Sequence, residues 1–466
     1  MTSMRITTRQ KRSKVPSGQL SHKPTARGAA LLFLAAFVLL TGALLIQNVV
    51  RASAATIWYV DDDTCPSAGS GTSGDPFCSI QDAIDAAASG DVIHVAAGTY
   101  YENLTIDEHV TILGENRDNT TIDGGNLDAV IDIDPAYVVG ISFVTITHGN
   151  NTGSMEGGGG VHNSGDLTLS NCAVSDNYAE PRGGGLYNDV GATMTISRCV
   201  IEGNTVDLVG EGWGGGGIYN GFGTLTVQDS SIRDNHAVNY GVAGGVFNDA
   251  GNMTLERVTI SANTSTQYAG GVHSALLPSG SSTLINVTIS GNTSKSGGGI
   301  GTAGGVSTGL TSIQNSTIAG NIATETSSGG GLQAWGRVEI QNSIIDNNSL
   351  LECGGDPATY ITSGGYNLAE DDTCGLLATG DQQSADAKLG LLQDYGGLTE
   401  TMALGWGSPA IDAGSPATPG TGGGACESLD QREWVRPIDA DLDGTARCDI
   451  GAYEKTIDLF LPLIMR

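Results

Sequence analysis

The segment Asp439-Ala-Asp441-Leu-Asp443-Gly444 places three carboxylates at alternate positions ahead of a glycine. That spacing opens a calcium loop, in which residues 1, 3 and 5 aim hard oxygen ligands at one ion and the glycine permits the turn. Thr445 would add a backbone carbonyl. Asp449 stands one residue before the place where such loops carry a bidentate glutamate, which here is Ile450. Asp439, Asp441, Asp443, Thr445 and Asp449 are thus the expected ligands of a weakly held structural calcium ion, against the rival reading of a solvated acidic turn. The triplet Asp61, Asp62 and Asp63 reads as a solvated patch.

Cysteine comes next. All eight, Cys65, Cys78, Cys172, Cys199, Cys353, Cys374, Cys426 and Cys448, follow residue 54. An even count in an exported chain predicts disulfides, and neighbour pairing gives 65–78, 353–374 and 426–448 as local clasps. No CxxC spacing occurs, so zinc is not expected. Cys172 and Cys199 fall in one slot of two consecutive repeats, which makes them either stacked thiols or a rung-to-rung bridge.

No catalytic set emerges. His162 and His273 occupy the slot held by Tyr187, Tyr219 and Phe247 in other repeats, so they read as members of an aromatic stack. Beside them Asn163, Asn188, Asn220 and Asn248 read as a hydrogen-bonding ladder. No carboxylate or nucleophile recurs next to the histidines, and the stretch 139–348 is poor in Lys and Arg. Trp213 and Trp335 could stack on a sugar ring, or serve as ordinary loop packing.

The elements that must position these residues are announced by repetition. LTLSNCAVSDN ends at Asn177, and equivalent phrases end at Asn204, Asn235, Asn263, Asn292, Asn321 and Asn348, spaced about 27–31 residues apart. Apolar residues alternate inside each copy, as in Leu167, Leu169, Cys172 and Val174, which is the period of a strand. Breaks at Asn171, Asp229, Asn286 and Asn315 mark bends where an Asx residue tolerates a left-handed backbone. A GGG phrase precedes each pair, with Val161, Leu186, Ile218, Val246 and Val272 in one core slot. Glycine there is expected to supply positive φ at a corner. The fold class that follows is all-β, a right-handed parallel β-helix whose rungs lie about 4.8 Å apart. Ile80, Ile84 and Ala87 recur at helical spacing, so a short helix should cover the N-terminal end of the coil, and strands are expected at 92–95, 110–113, 120–122 and 130–133.

The first fifty residues hold no Asp or Glu but seven Lys and Arg, followed by an apolar run from Ala29 to Ile46 and then Ala52-Ser53-Ala54. This pattern predicts a signal peptide over 1–54, cleaved after Ala54; the rival is an uncleaved anchor. Cleavage would leave 13 basic against 50 acidic side chains, a net charge of −37. Such a surface repels nucleic acid and anionic lipid, and would repel a polyanion such as pectate or alginate unless cations bridged it. The expected partner is a polysaccharide or cell-surface glycan, with membrane contact only through the signal segment or the tail. The parts predicted are an N-terminal cap over 55–90, β-helix rungs over 91–350, a disulfide-braced, loop-rich C-terminal region over 351–454 and an apolar tail over 455–466.

SIQDAIDAAASGDVIHVAAGTYYENLTI and TILGENRDNTTIDGG resemble the first rungs of the pectin-lyase-like β-helix superfamily. The GGGxxN phrases are similar to repeats of chlamydial polymorphic outer-membrane proteins. The stretch from GGYNLAEDDTCGL through LGLLQDYGGLTETMALGWGSPAIDAG to CDIGAYE resembles a choice-of-anchor Q region. These resemblances imply a β-helix at the cell surface. They imply no chemistry, because the carboxylate, Arg or Lys and Gly-His-Gly motifs of superfamily enzymes have no counterpart here. The expected function is a non-catalytic secreted or surface protein, monomeric, acting in adhesion, in glycan binding or as a surface rod; the alternative is a polysaccharide lyase, hydrolase or epimerase.

Overall fold

The computed structural model describes residues 55–66, 69–152, 157–207, 213–276, 280–306 and 309–457. The expected signal segment, tail residues 458–466 and parts of the inserts near Trp213 and at 276–282 lie outside them. Among the described residues no helix is long and apolar enough to cross a membrane.

A complete rung contains four strands, such as Val161–Asn163, Asp166–Ser170, Ala173–Ser175 and Tyr178–Ala179. Among the described residues, equivalent strands of successive rungs pair in parallel and build four sheets, here named I to IV in that order, of 10, 12, 12 and 7 strands. The chain is a right-handed parallel β-helix, the hand that parallel crossovers adopt. Stacking places Val161, Leu186, Ile218, Val246 and Val272 in one column, all at 0 % exposure. Each apolar side chain thereby packs on its counterpart one rung away.

Two corners differ from expectation. At the bend between sheets II and III, Asn171, Asp229, Asn286 and Asn315 have the left-handed backbone, but so do Phe143, Arg198 and Arg257. Asx chemistry is not required there, because the bend amide is held from outside: Asn171, Arg198, Asp229 and Arg257 each donate to a carbonyl of the next rung. In the glycine phrases only the first residue needs positive φ, as at Gly183 and Gly215, and Ala243 and Ala269 fill that position in two rungs at φ 60° and 57°. The third glycine answers to crowding. A Cβ on Gly185 would lie 2.7 Å from the Gly217 carbonyl oxygen of the next rung.

At the N-terminal end helix α1 (Ile80–Ala86) buries Ile80, Ala83 and Ile84 against the core. Ser79 Oγ accepts from Asp82 N at 3.0 Å, and the Glu102 carboxylate takes the amides of Ile80 and Gln81 at 2.8 and 3.0 Å. Those bonds satisfy the first turn's free donors. Ile57–Val60, not foreseen as a strand, pairs with Asp91–Val95 and begins sheet II.

After Gln383 the chain leaves the coil and turns back along it. An antiparallel pair, Leu389–Gln393 with Thr401–Leu404, and the loops that follow lie over sheet III and the II–III bend. Asn286 Nδ2 donates to Leu429 O at 3.0 Å, Glu427 N donates to Asn315 Oδ1 at 3.1 Å, and Ser415 N donates to Asn342 Oδ1 at 3.0 Å. Beneath this cover, Arg432 pairs with Asp430 at 2.5 Å and Arg436 with Glu454 at 3.6 Å, all four side chains at most 2 % exposed. Disulfides close Cys353–Cys374 and Cys426–Cys448 in this region, and Cys65–Cys78 near the N-terminus.

Candidate functional site

The coil orders its polar side chains into ladders. Asn163 Nδ2 donates to Asn188 Oδ1, Asn188 to Asn220 and Asn220 to Asn248, each at 2.8 Å, and Asn248 ends on Ser282 Oγ at 2.9 Å. A second, longer ladder runs through the residues that mark the repeat. Asn177, Asn204, Asn235, Asn263, Asn292, Asn321 and Asn348 pass hydrogen bonds from Nδ2 to the next Oδ1 at 2.9–3.0 Å. The sequence displays these asparagines as punctuation; that they bond to one another follows only once the rungs are stacked. This ladder ends on Glu352, whose carboxylate accepts Asn348 Nδ2 at 2.6 Å and Asn348 N at 3.1 Å. Burial, with lesser repulsion from Asp371 and Asp346, pushes the Glu352 carboxyl up to about 8.

The aromatic row is present as a column on sheet I. His162 stacks on Tyr187 at 5.3 Å and 9°, Tyr187 meets Tyr219 at 5.5 Å, Tyr219 meets Phe247 at 5.1 Å and Phe247 meets His273 at 5.2 Å. The column is buried, and burial pulls His273 down to about 4. Its neighbours are more polar than the sequence suggests. Asp132, from the preceding rung, puts Oδ1 2.9 Å from His162 Nδ1, and Ser164 Oγ lies 3.4 Å from His162 Nε2. That is the order of an acid, base and nucleophile. The surroundings oppose acyl transfer: the amides of Ser164 and Gly165 are spent on Ile133 O and Asn163 Oδ1, and Asp189 Oδ2 sits 3.5 Å from Ser164 Oγ. A developing oxyanion would meet a carboxylate where it needs donors. Farther along, Tyr187 donates to Asp189 at 2.8 Å and Tyr219 to Asp249 at 2.6 Å, so these acids are tied to phenols.

Cys172 and Cys199 are buried free thiols, not a bridge. Their slot has a purpose that the other rungs reveal. Cys172 N donates to Cys199 Sγ at 3.3 Å and Cys199 N to Ser230 Oγ at 3.1 Å; later Ser316 N donates to Ser343 Oγ at 3.1 Å and Ser343 N to Asn367 Oδ1 at 3.0 Å. A small side chain with an acceptor atom satisfies the amide of the rung before it, and sulfur is the weakest of these acceptors.

The acidic loop is arranged differently from the expected calcium loop. Carboxylate oxygens of Asp439 and Asp441 converge with one from Asp412, all within 4.8 Å of one another. Asp412 was not foreseen, since it lies 27 residues upstream. Asp443 instead accepts Thr445 N at 2.7 Å, which turns both residues to shaping the loop. Asp449 does not belong to the set: at 0 % exposure its carboxylate takes the amides of Asp412 at 2.8 Å and Lys455 at 2.5 Å. Asp439 Oδ1 is shielded from solvent and has no hydrogen-bond partner, which is the condition of an oxygen suited to a cation. The triplet near the N-terminus is engaged locally, with Asp61 capping a turn through Asp63 N and Asp62 accepting Thr99 N at 3.0 Å.

No family model matches the chain, and no curated protein matches its sequence. Solved structures do. They include a complex of XylC with xylose (TM-score 0.50, 10 % identity, covering 86 % of this chain and 99 % of that one) and pectate lyase Pel9A (0.44, 14 %, 87 % and 98 %). A pectin methylesterase from carrot is also similar (0.41, 12 %, 62 % and 89 %). At such identities the likeness is one of architecture, the parallel β-helix.

Proposed function

We propose that the protein is a secreted or surface-displayed β-helix that holds a polysaccharide or cell-surface glycan without cleaving its backbone. The supporting observation is that the uncovered side of the coil repeats uncharged hydroxyl groups in register. Thr168, Thr195, Thr226, Thr254 and Thr283 form one outward row on sheet II over five rungs. A polymer of polyols meets such a row with many equivalent weak hydrogen bonds, whose sum supplies affinity. The acidic total, a net −29 for the whole chain, turns away nucleic acid and polyanions. Three disulfides suit an oxidising compartment, and the C-terminal resemblance to an anchoring region supports display at the cell surface. A calcium ion on Asp412, Asp439 and Asp441 would brace the C-terminal loops.

The test is retention of the purified protein on insoluble cellulose, xylan, chitin and β-glucan, with analysis of the supernatants for shortened or unsaturated sugars. Retention without new products is the expected result. New products would make the protein an enzyme, and failure to bind any glycan would remove the proposal.

A further inference from the structure

Resting on that glycan reading, we infer a second seat, distinct from the threonine row of sheet II, for a neutral polysaccharide chain along the coil axis on the loops beside sheet IV, from Trp213 to Thr324. Three large aromatics stand exposed on consecutive loops there, Trp213 at 38 %, Tyr240 at 69 % and Tyr268 at 48 %. The loops are in register. Gly214 bridges Val242 in parallel, Gly215 N donates to Val242 O at 3.0 Å, and Ala243 N donates to Tyr268 O at 2.9 Å. Trp213 is braced from below, with its ring edge-on to Tyr219 at 6.4 Å and the Arg182 guanidinium 5.3 Å from its centroid.

The chain accepts strain to display the middle ring. Asn239 and Tyr240 both have positive φ, 46° and 76°, a conformation that a bulky residue adopts at a cost. Asn239 Nδ2 donates to Asp207 Oδ1 at 2.8 Å and so holds that loop to the rung before it. Beyond Tyr268 the aromatic surface passes into a shallow groove of about 660 Å³ lined by hydroxyl residues, among them Ser265, Thr293, Ser294 and Thr324, and by the charged pair Lys295 and Glu325. Ser265 Oγ donates to Tyr268 O at 3.0 Å, which joins the two parts. Ser294 is 2 % exposed, lines the groove, and its hydroxyl has no hydrogen-bond partner in the protein.

These features match a sugar chain in two ways. Exposed aromatic faces receive the C–H faces of pyranose rings, and the hydroxyl groove exchanges hydrogen bonds with ring substituents. The charges at the site, Asp207, Glu180 and Glu325 against Arg182 and Lys295, leave no net positive field for an acidic polymer. A neutral chain is the class that fits.

Affinity electrophoresis in gels cast with xylan, glucomannan, mixed-linkage β-glucan or polygalacturonate tests this directly on the secreted protein. The paired variant Trp213→Ala/Tyr268→Ala should weaken retardation about 30-fold, and Tyr240→Ala about fivefold. Trp406→Ala, which truncates a distant ring at 81 % exposure, should leave it unchanged. Circular dichroism verifies that each variant is folded. Full retardation of the paired variant moves the site elsewhere while the glycan reading survives. Retardation by polygalacturonate alone overturns the neutral class, and no retardation of the wild type by any polymer overturns both.

Discussion

Glu352 closes the long asparagine ladder with a carboxyl where each earlier rung uses an amide, and Glu352→Gln isolates the effect of ionising it. The side chain is 2 % exposed and its carboxyl is pushed to about 8, from an ordinary 4.5. Because the folded pKa is raised, the native state binds the proton more tightly than the unfolded chain. This group therefore leaves the fold unpenalised below pH 4.5, and stability falls as pH rises from there to about 8. At about 1.36 kcal/mol per pH unit the loss approaches ~5 kcal/mol, an upper bound because local relaxation admits water. Glutamine keeps one acceptor for Asn348 but presents an amide donor to the other Asn348 donor, a loss of about 1 kcal/mol at any pH. The variant should thus be slightly less stable than wild type at pH 5 and more stable at pH 9. Thermal unfolding of both proteins, followed by circular dichroism from pH 5 to 9, measures the difference. A difference that is constant across this range would refute the claim that the ladder ends on an uncompensated buried carboxyl.

Within the same ladder, Asn235→Ala strands the Asn204 amide and the Ile201 carbonyl, and should cost about 2–4 kcal/mol in unfolding free energy, read by chemical denaturation. Cys199→Ser should change stability by under about 1 kcal/mol, since Ser230 holds the same slot, whereas Cys199→Ala leaves Cys172 N without an acceptor at about 1–3 kcal/mol. Equal losses for Ser and Ala would show that the slot is only a matter of volume. Calcium at ten times its dissociation constant should stabilise the wild type by about 1.4 kcal/mol. A melting temperature that calcium raises equally in Asp412→Asn/Asp439→Asn would place the ion elsewhere.

The coil was legible because its rungs are local: one strand, one bend and one glycine phrase repeat within about 30 residues, and period-two alternation names the inward side chains. The core column from Val161 to Val272 and the aromatic column beside it could both be read by aligning phrases. What alignment hides is contact across phrases that differ. Asp132 meets His162 from a rung whose sequence, Ile131-Asp132-Ile133, lacks the glycine phrase. Asp412 joins Asp439 and Asp441 through the folding of loops that have no period. The glycine phrases announce a corner with positive φ, yet the third glycine is set by the approach of the next rung's carbonyl, a constraint that exists only in three dimensions.

The C-terminal region bears on how the open faces work. Thr259 and Thr288 belong to an outward threonine row on sheet III, built on the same plan as the row on sheet II. On sheet III that row is occupied: Gln431 Oε1 accepts Thr288 Oγ1 at 2.5 Å, and Gln431 Nε2 donates to Thr259 Oγ1 at 3.1 Å. One amide side chain is thus gripped by hydroxyls from two consecutive rungs. The protein therefore contains, within its own fold, an instance of a threonine row binding a polar group whose donor and acceptor are spaced to match the rungs. The row from Thr168 to Thr283 offers the same spacing over five rungs with nothing from the described chain laid over it, so a flexible ligand gains there only if its polar groups also repeat. On the proposed glycan reading, that requirement favours a polymer over a monomer. Retention on a polysaccharide should accordingly fall steeply as its chain is shortened below about five sugar units, while a monosaccharide at the same total sugar concentration should fail to compete.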